Sequence, residues 1–211
     1  MIHRMSIRNF VVVLTWCLSA ELAAQAPLAT PSEAELRPLL NSERIARDFG
    51  SYGIDVLESD ARVRVSNLYS LHQGSKICRT FAVVHFPESI ENAYLVEHEA
   101  ILSGQSIGAV FAQHGWTIEK INRYLGVLHS TDPVAGLMGE ITPQPLAVHL
   151  YDFRVSKPGT SLIYASIAEV HHPDYLSVAD LQRIYGTVVN DASYGVAREQ
   201  PELALIRDKM N

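Results

Sequence analysis

The sequence predicts an α+β fold, in which helices are inserted between the strand hairpins of an antiparallel β-sheet. Two observations support this class. Residues 62–86 and 146–171 each contain two strand-like segments joined by a short turn, and strands joined in this way pair antiparallel. Between these hairpins, residues 90–115 carry apolar side chains at helical spacing. Strands, then helices, then strands again is the order of an α+β domain.

The helices are predicted from apolar spacing and capping residues. Gly50 ends the first helix, Ser89 begins the second, and Ser177 with Asp180 forms a capping box for the last. One more helical turn is expected near Leu137. The predicted helices span residues 41–49, 89–102, 106–115 and 177–185.

The strands are predicted from alternating polar and apolar residues and from strand-forming side chains. Gly74 lies in the turn of the first hairpin, and Pro158 with Gly159 lies in the turn of the second. A single strand precedes the second hairpin. The predicted strands span residues 62–71, 77–86, 117–127, 146–155 and 161–171.

A cleavable signal peptide is predicted at residues 1–26. Basic residues come first, residues 10–20 are apolar and uncharged, and small residues such as Ala24 and Ala26 follow. The apolar block is too short for a membrane span, which needs about 20 residues. We therefore expect a periplasmic or secreted protein.

The rest of the chain divides into a linker, one domain and a tail. Residues 27–40 are rich in proline and polar residues, which is typical of a linker. Residues 41–185 form the predicted domain, and residues 186–211 form a tail that we expect to be loose.

Composition excludes several classes of function. The net charge is -6, and no basic surface for nucleic acid is indicated. No second apolar run reaches membrane length. Cys78 is the only cysteine beyond the signal peptide, so neither a disulfide framework nor a cysteine metal site is expected. The oligomeric state cannot be read from these features.

In their order, these elements resemble the chorismate pyruvate-lyase fold, which the effector-binding domains of many GntR-type regulators share. The resemblance runs from about residue 41 to residue 176. Its marks are the hairpin HQGSKICRTFAVVHFP, the short helix SIGAVFAQHG and the hairpin PLAVHLYDFRVSKPGTSLIYASIAEVHHPDYL. The signal peptide is a departure, because lyases and regulators of this kind work in the cytoplasm.

The resemblance implies the residues of a ligand site. In the lyase, a glutamate four residues before a proline binds the hydroxyl end of the ligand, and Glu169 stands four residues before Pro173. At the start of the short helix, the family offers a backbone N–H to a ligand carboxylate. Ser106, Ile107 and Gly108 occupy that step here.

An arginine on the first hairpin binds a carboxylate in the lyase, but this chain has Ser66 at the matching position. Arg64, on the same face of that strand, and Arg79, on its partner strand, are the closest substitutes. The resemblance therefore implies Glu169 and Arg64 as catalytic residues, with Ser66 and Arg79 among the ligand-binding ones. The missing arginine argues against simple chorismate lyase activity.

Glu169 is also unusual when judged by its own strand. With a period of two it shares a face with Ile163, Ala165 and Ile167, and that face should lie in the core. A buried carboxylate must find a partner or take up a proton, and its raised pKa is typical of functional carboxylates. The competing interpretation is a glutamate at a strand end that reaches solvent or an arginine.

Residues 103–106 precede a short helix whose first N–H groups could bind an anion. An arginine from the first hairpin could hold the same carboxylate in a bidentate way. The alternative is that Ser103 or Ser106 only caps its own helix.

Residues 104–108 also spell GQSIG, the G-x-S-x-G pattern of a serine esterase. The pattern has this meaning only after a buried strand, with an acid and then a histidine later in the chain. The candidates are Asp152 or Asp174 as the acid and His171 or His172 as the histidine. The charged residues in the preceding segment LVEHEAIL disfavour a buried strand there.

Adjacent histidines at 171 and 172, with His149, also suggest a metal site. Neighbouring residues on a regular strand face opposite ways, so this pair cannot bind one ion together. We expect no metal and no other cofactor.

The sequence thus predicts an exported domain that binds a small aromatic or hydroxylated carboxylate, with pyruvate-lyase activity on chorismate or a related enolpyruvyl ether as one outcome. A serine esterase using Ser106 is the first alternative. A structural or partner-binding envelope protein without catalysis is the second.

Overall fold

The chain was analysed as a computed structural model that describes residues 40–129, 132–139, 141, 144–186, 204, 206 and 208. The described residues form an antiparallel sheet of six strands, accompanied by helices. This confirms the predicted α+β class. The predicted signal peptide and all but the last residue of the predicted linker lie outside the described residues.

The elements follow one another as three strands, two helices and three strands, with further helices before, between and after them. In chain order they are α1 (Asn41–Phe49), β1 (Gly53–Ser59), β2 (Val63–His72), β3 (Ser75–His85), a 3-10 turn (Asn92–Tyr94), α2 (Leu95–Leu102), α3 (Ile107–Gln113), β4 (Thr117–His129), α4 (Asp132–Leu137), β5 (Pro145–Lys157), β6 (Thr160–His171) and α5 (Val178–Tyr185). None of the helices among the described residues is long and apolar enough to cross a bilayer.

Two hairpins build the sheet, whose strand order is β1-β2-β3-β6-β5-β4. The β2–β3 hairpin turns through Gln73 and Gly74, both with positive φ, as tight turns matched to strand twist require. The second hairpin turns at Gly159, whose φ is +79°. Because β3 pairs with β6, the two hairpins join at the centre of the sheet.

The edge strand β1 was not predicted from the sequence. Its residues GIDVLES include a glycine and two carboxylates, and its second half is exposed. A short, partly polar strand of this kind is typical of a sheet edge, where only one neighbour supplies hydrogen bonds.

The two faces of the sheet have separate cores. On the first face, which carries Ala82 and Tyr151, apolar residues contact α1, α2, α3 and α5. On the second face, Val83 and Leu150 contact α4. Ile206, in the region expected to be a loose tail, is fully buried in this second core.

The start of α2 differs from the prediction. The helix begins at Leu95 rather than after Ser89, and the 3-10 turn precedes it. Ile90 and Tyr94 still pack into the same core as Ile101. Ile90 and Tyr94 thus reach the core from an extended segment and a tight turn, where the sequence predicts one longer helix. The capping box of Ser177 and Asp180 at α5 is confirmed.

A β-bulge corrects one predicted face. The register between β5 and β6 shifts at Phe153 and Arg154, so that Ala165 pairs with Phe153 but Ile163 pairs with Arg154. Tyr164 and Ala165 are both buried, whereas Ile163 is 42% exposed. The extra residue reverses the alternation, and Ile163 therefore does not share the face of Glu169.

Candidate functional site

A cavity lies between the first face of the sheet and the starts of α1 and α3. Its empty volume is about 540 Å³, counting its open mouth. Both helices present their first residues to it. The lining residues are Leu40, Asn41, Ser42, Ile54, Arg64, Ser66, Leu68, Ala82, Val84, Ser106, Ile107, Gly108, Lys120, Tyr151, Phe153, Ile167 and Glu169.

The structure brings together all but one of the candidate residues from the sequence. Arg64, Ser66, Ile107, Gly108 and Glu169 all line the cavity. Arg64 and Ser66 come from β2 in the first hairpin, and Glu169 comes from β6 in the second.

Arg79 does not line the cavity. Its guanidinium lies over the ring of Phe49 at the end of α1, with 3.8 Å between the guanidinium carbon and the ring centroid, and its Nε donates to Ser70 Oγ at 2.8 Å. The β2–β3 register shifts between Leu68 and Tyr69, and Arg79 is the unpaired residue opposite. This bulge places Arg79 beside α1 rather than in the cavity wall.

Arg64 is fully buried and holds the loop between α2 and α3. Its Nη1 donates to the carbonyls of Ile101 at 3.0 Å and Gln105 at 2.8 Å. Its Nη2 lies 3.4 Å from the carbonyl of Gly104, and its Nε donates to Ser66 Oγ at 3.0 Å. Two of the candidate residues, Arg64 and Ser66, are thus hydrogen-bonded to each other.

The charge of Arg64 has no carboxylate within salt-bridge distance among the described residues. Burial lowers the pKa of its guanidinium from the ordinary value, but an arginine remains charged. Its hydrogen-bond partners among the described residues are neutral carbonyl and hydroxyl groups. A nearby anion would therefore be strongly attracted to it.

The start of α3 lies close to the start of α1. Ser106 is the N-cap residue of α3, but its side chain makes no capping hydrogen bond. A Cβ at Gly108 would lie only 2.8 Å from Leu40 Cδ2. Glycine at this position therefore allows Leu40 to close against α3 at the cavity wall.

Glu169 is almost fully buried and is held by groups from three elements. Its Oε1 accepts hydrogen bonds from Asn41 Nδ2 at 2.8 Å and from Tyr151 OH at 3.0 Å. Its Oε2 lies 3.5 Å from Lys120 Nζ. The expected burial of this carboxylate is thus accompanied by partners, which buried charges require.

These partners set the protonation state of Glu169. Burial by itself raises the pKa of the carboxyl, but the Lys120 ammonium and the hydrogen bond from Tyr151 lower it. The pKa therefore lies below its ordinary value. The sequence-based expectation of a raised pKa is wrong, because it did not include Lys120.

Lys120 is the main site residue that the sequence analysis missed. It pairs with Phe153 across β4 and β5, which places it on the first face of the sheet. Its Nζ lies 4.3 Å from the ring centroid of Tyr151. Alternation of side chains along β6 identified Glu169 on the apolar face. The same argument applied to β4 could have placed Lys120 on that face.

Two neutral histidines lie on the same face as Glu169. His149 Nε2 bonds Asn122 Oδ1 at 2.8 Å, and His171 Nδ1 bonds Thr80 Oγ1 at 3.1 Å. Burial lowers the pKa of His171 to about 4 and that of His149 well below its ordinary value. Both rings are therefore uncharged at neutral pH.

His172 lies on the other face of the sheet. Its Nε2 bonds the carbonyl of Met138 at 3.0 Å, whereas the ring of His171 lies 5.8 Å from that of Tyr175 on the first face. The two adjacent histidines thus point to opposite faces of the sheet.

The GQSIG segment lacks the setting of an esterase nucleophile. A helix, α2, and a short loop precede Ser106, where the esterase pattern requires a buried strand. The hydrogen bonds of His171 and His172 go to Thr80 and Met138. The G-x-S-x-G pattern therefore does not form a nucleophile elbow here, because the charged segment before the loop is helical.

No model of a known protein family matches this chain, and no curated protein matches it. Among solved structures it is similar to the C-terminal domain of the histidine utilization repressor from Pseudomonas syringae pv. tomato str. DC3000, with 12% sequence identity and a TM-score of 0.33. The match covers 60% of this chain and 90% of that domain. The two backbones agree only in part, so the properties of the cavity follow from its own residues.

Proposed function

We propose that this protein binds a small carboxylate, aromatic and hydroxylated, in the cavity between α1, α3 and the sheet. The observation that carries the proposal is the buried guanidinium of Arg64. It lines the cavity, and none of the described residues places a carboxylate within 4.0 Å of it. A ligand carboxylate would supply the missing negative charge.

The anion end of the ligand belongs near Arg64. A guanidinium has five N–H donors, and the described residues provide four acceptors to this one. One donor on Nη2 is therefore left for a ligand oxygen. Ser66 and the first residues of α3, Ile107 and Gly108, line the same cavity and add polar groups to this end.

The middle of the cavity suits an aromatic ring. The wall of the cavity includes apolar side chains of the sheet. These are Leu68, Ala82, Val84, Phe153 and Ile167. Apolar walls with a few placed polar groups are typical of small-molecule sites.

The hydroxyl end of the ligand belongs near Glu169. Its Oε2 lies 3.5 Å from Lys120 Nζ and 4.0 Å from His171 Nε2, so it can accept a further, closer hydrogen bond. The lowered pKa keeps this carboxylate ionised at neutral pH, and ionised groups make the stronger hydrogen bonds.

If the ligand carries an enolpyruvyl ether, the protein would cleave that ether as a lyase does. Arg64 and Lys120 would then stabilise negative charge that develops as the ether bond breaks, and they would do so as fixed charges without a covalent intermediate. Release of pyruvate from chorismate, measured with a coupled lactate dehydrogenase assay, tests this activity separately from binding.

The binding proposal is tested by thermal unfolding of the protein with and without excess 4-hydroxybenzoate or chorismate. A ligand at about 100 times its dissociation constant adds about 2.7 kcal/mol of stability, which raises the midpoint by several degrees. We expect a shift in the unmodified protein and in Arg79→Met, because Arg79 lies outside the cavity. We expect none in Arg64→Met or Glu169→Ala.

Each result has one meaning for the proposal. No shift with either compound at millimolar concentration would overturn this ligand class. A shift that survives both cavity variants would overturn the site.

We also propose that residues 1–26 direct the chain out of the cytoplasm. The support is the order of basic, apolar and small residues described above. N-terminal sequencing of protein recovered from the envelope fraction tests this. A start after Ala24 or Ala26 supports export, and an intact Met1 in the cytoplasmic fraction contradicts it.

A further inference from the structure

We infer that a buried water molecule binds beside Glu169 and bridges its Oε2 to Nε2 of His171 and Nδ1 of His149. The inference goes beyond the proposed function and does not depend on it, because neither histidine lines the cavity. It assigns a second binding position, for water, on the first face of the sheet.

The three groups come together on neighbouring strands. His149 on β5 pairs directly with Glu169 on β6, and His171 lies two residues further along β6, so the three side chains share one face. The two histidines are 0% and 1% exposed. The ring of Tyr185 lies 4.3 Å from that of His149, and the ring of Tyr175 lies 5.8 Å from that of His171. A molecule between the three groups is therefore shielded from bulk solvent.

The hydrogen bonds of His149 fix which of its nitrogens carries the proton. Asn122 Nδ2 donates to the carbonyl of Tyr185 at 3.0 Å, and the other atom of this amide, Oδ1, is an acceptor. His149 Nε2 lies 2.8 Å from that oxygen and must donate to it. Because the low pKa of His149 keeps its ring neutral, Nδ1 carries only a lone pair. No group among the described residues donates a hydrogen bond to this buried atom.

His171 has the opposite requirement. Its Nδ1 lies 3.1 Å from Thr80 Oγ1, a hydroxyl that can donate or accept. Its Nε2 lies 4.0 Å from Glu169 Oε2, and an ionised carboxylate only accepts. The tautomer with the proton on Nε2 is therefore favoured, yet in the part of the chain that the structure describes this buried nitrogen has no hydrogen-bond partner. A polar contact longer than about 3.5 Å is often bridged by a water.

The bridging molecule must accept one hydrogen bond, from His171, and donate two, to His149 and Glu169. Water can do this, and it then makes the three hydrogen bonds that are typical of a buried water. An ammonium ion has no acceptor, and an alcohol has only one donor. The charges of Lys120 and Arg44 oppose protonation of both histidines, and they disfavour a metal ion or another cation at this position for the same reason.

The water satisfies both histidines, and buried polar atoms without partners are destabilising. It also gives Glu169 a further donor, which favours the ionised form of the carboxylate. Through His149 and Asn122, it links this carboxylate to β4.

A crystal structure of the protein without added ligand, at a resolution that shows ordered waters, tests the position directly. We expect one water within about 3.2 Å of His171 Nε2, His149 Nδ1 and Glu169 Oε2. The absence of this water, or a water that misses any of the three atoms, would overturn the inference.

Magnetic relaxation dispersion of water counts the long-lived internal waters in solution and gives a second test. In His171→Phe the larger apolar ring should displace the bound water, and the count should fall by one. His172→Phe is the matched control, because His172 is also buried but its two nitrogens bond Met138 and Asp174. Its count should equal that of the unmodified protein. An unchanged count in His171→Phe, or an equal fall in both variants, contradicts the inference.

This inference and the proposed function can fail separately. Both tests use the protein without a ligand in the cavity, so a missing water leaves the proposed function standing. The crystal structure of the unmodified protein decides the question even if His171→Phe does not fold.

Discussion

Asn41 Nδ2 lies 2.8 Å from Glu169 Oε1, although 128 residues separate the two in sequence. Asn41 is the first residue of α1, and its Oδ1 also accepts a hydrogen bond from Tyr175 OH at 2.9 Å. One amide thus ties the helix to the cavity carboxylate and to the segment that follows β6. The position of α1 and the state of Glu169 are therefore linked.

Replacing Asn41 by aspartate should destabilise the fold more than replacing it by alanine. Alanine removes hydrogen bonds at a cost of about 1–3 kcal/mol, whereas aspartate adds repulsion between two buried carboxylates. Urea unfolding at pH 7 and pH 4 measures the difference. The excess cost of aspartate should shrink at pH 4, and the same change at the exposed residue Asn92 should have little effect at either pH. Equal costs for both substitutions at pH 7 would contradict the link.

Gly108→Ala should weaken ligand binding through Leu40. The new Cβ would lie 2.8 Å from Leu40 Cδ2, so the leucine must shift within the cavity wall, at a cost in stability of about 1–3 kcal/mol. The double variant with Leu40→Ala should restore binding. Gly136→Ala is the control, because a Cβ there meets nothing within 4 Å. Calorimetry with 4-hydroxybenzoate reports the affinities, and an unchanged affinity in the single variant would rule out this contact as a limit on the cavity.

Arg64→Lys should destabilise the protein by about 2–4 kcal/mol although the charge is kept. A lysine ammonium cannot reach Ser66 and the carbonyls of Ile101 and Gln105 at once, so buried acceptors lose their donors. Arg154→Lys is the matched control, since Arg154 contacts an exposed Glu119 and should change stability by less than about 0.5 kcal/mol. Urea unfolding compares the two variants. Similar small effects in both would mean that the arginine does not hold the α2–α3 loop.

The stability of the fold should fall as the pH drops from about 6.5 to about 4. The pKa of His171 is lowered to about 4 in the folded protein and is about 6.5 in an unfolded chain. Between these values the unfolded state binds the proton that the folded state excludes, which costs up to about 3 kcal/mol. Burial is the main cause, and the charges of Lys120 and Arg44 oppose protonation while that of Glu169 favours it.

His171→Asn tests this pH dependence, because asparagine keeps a polar atom near Thr80 but does not titrate. The variant should show a flatter stability curve between pH 6.5 and 4, measured by urea unfolding at several pH values. His72→Asn, at the exposed end of β2, should keep the original slope. If the slope survives in His171→Asn, another group is responsible.

The sequence predicted the parts of the fold that depend on local chemistry. Gly74 and Gly159 mark the two hairpin turns. The strand-forming residues on either side of each turn favour paired strands. Glu169 was found by alternation because a carboxylate on an apolar face is rare. The edge strand β1 has no such signal, since it is short, mixes polar and apolar residues and has no buried position.

The errors arise where pairing between strands decides the outcome. A bulge moves Ile163 to the other face, and a second one carries Arg79 to the side of α1. Neither bulge is marked by a residue type that could be read beforehand. Lys120 was missed for another reason, because a lysine stem often lies on an apolar surface with its amine in water, and a lysine on that face is weak evidence of burial.

The cavity can form only when β3 has paired with β6. Each hairpin closes through contacts between near neighbours in sequence, whereas the seam between them joins residues as distant as Thr80 and His171, which are 91 positions apart. Contacts of such separation cost more loop-closure entropy than contacts within a hairpin. Because Arg64 belongs to one hairpin and Glu169 to the other, neither hairpin alone contains the proposed site. A ligand bound in this cavity would therefore stabilise the pairing between the two halves of the sheet.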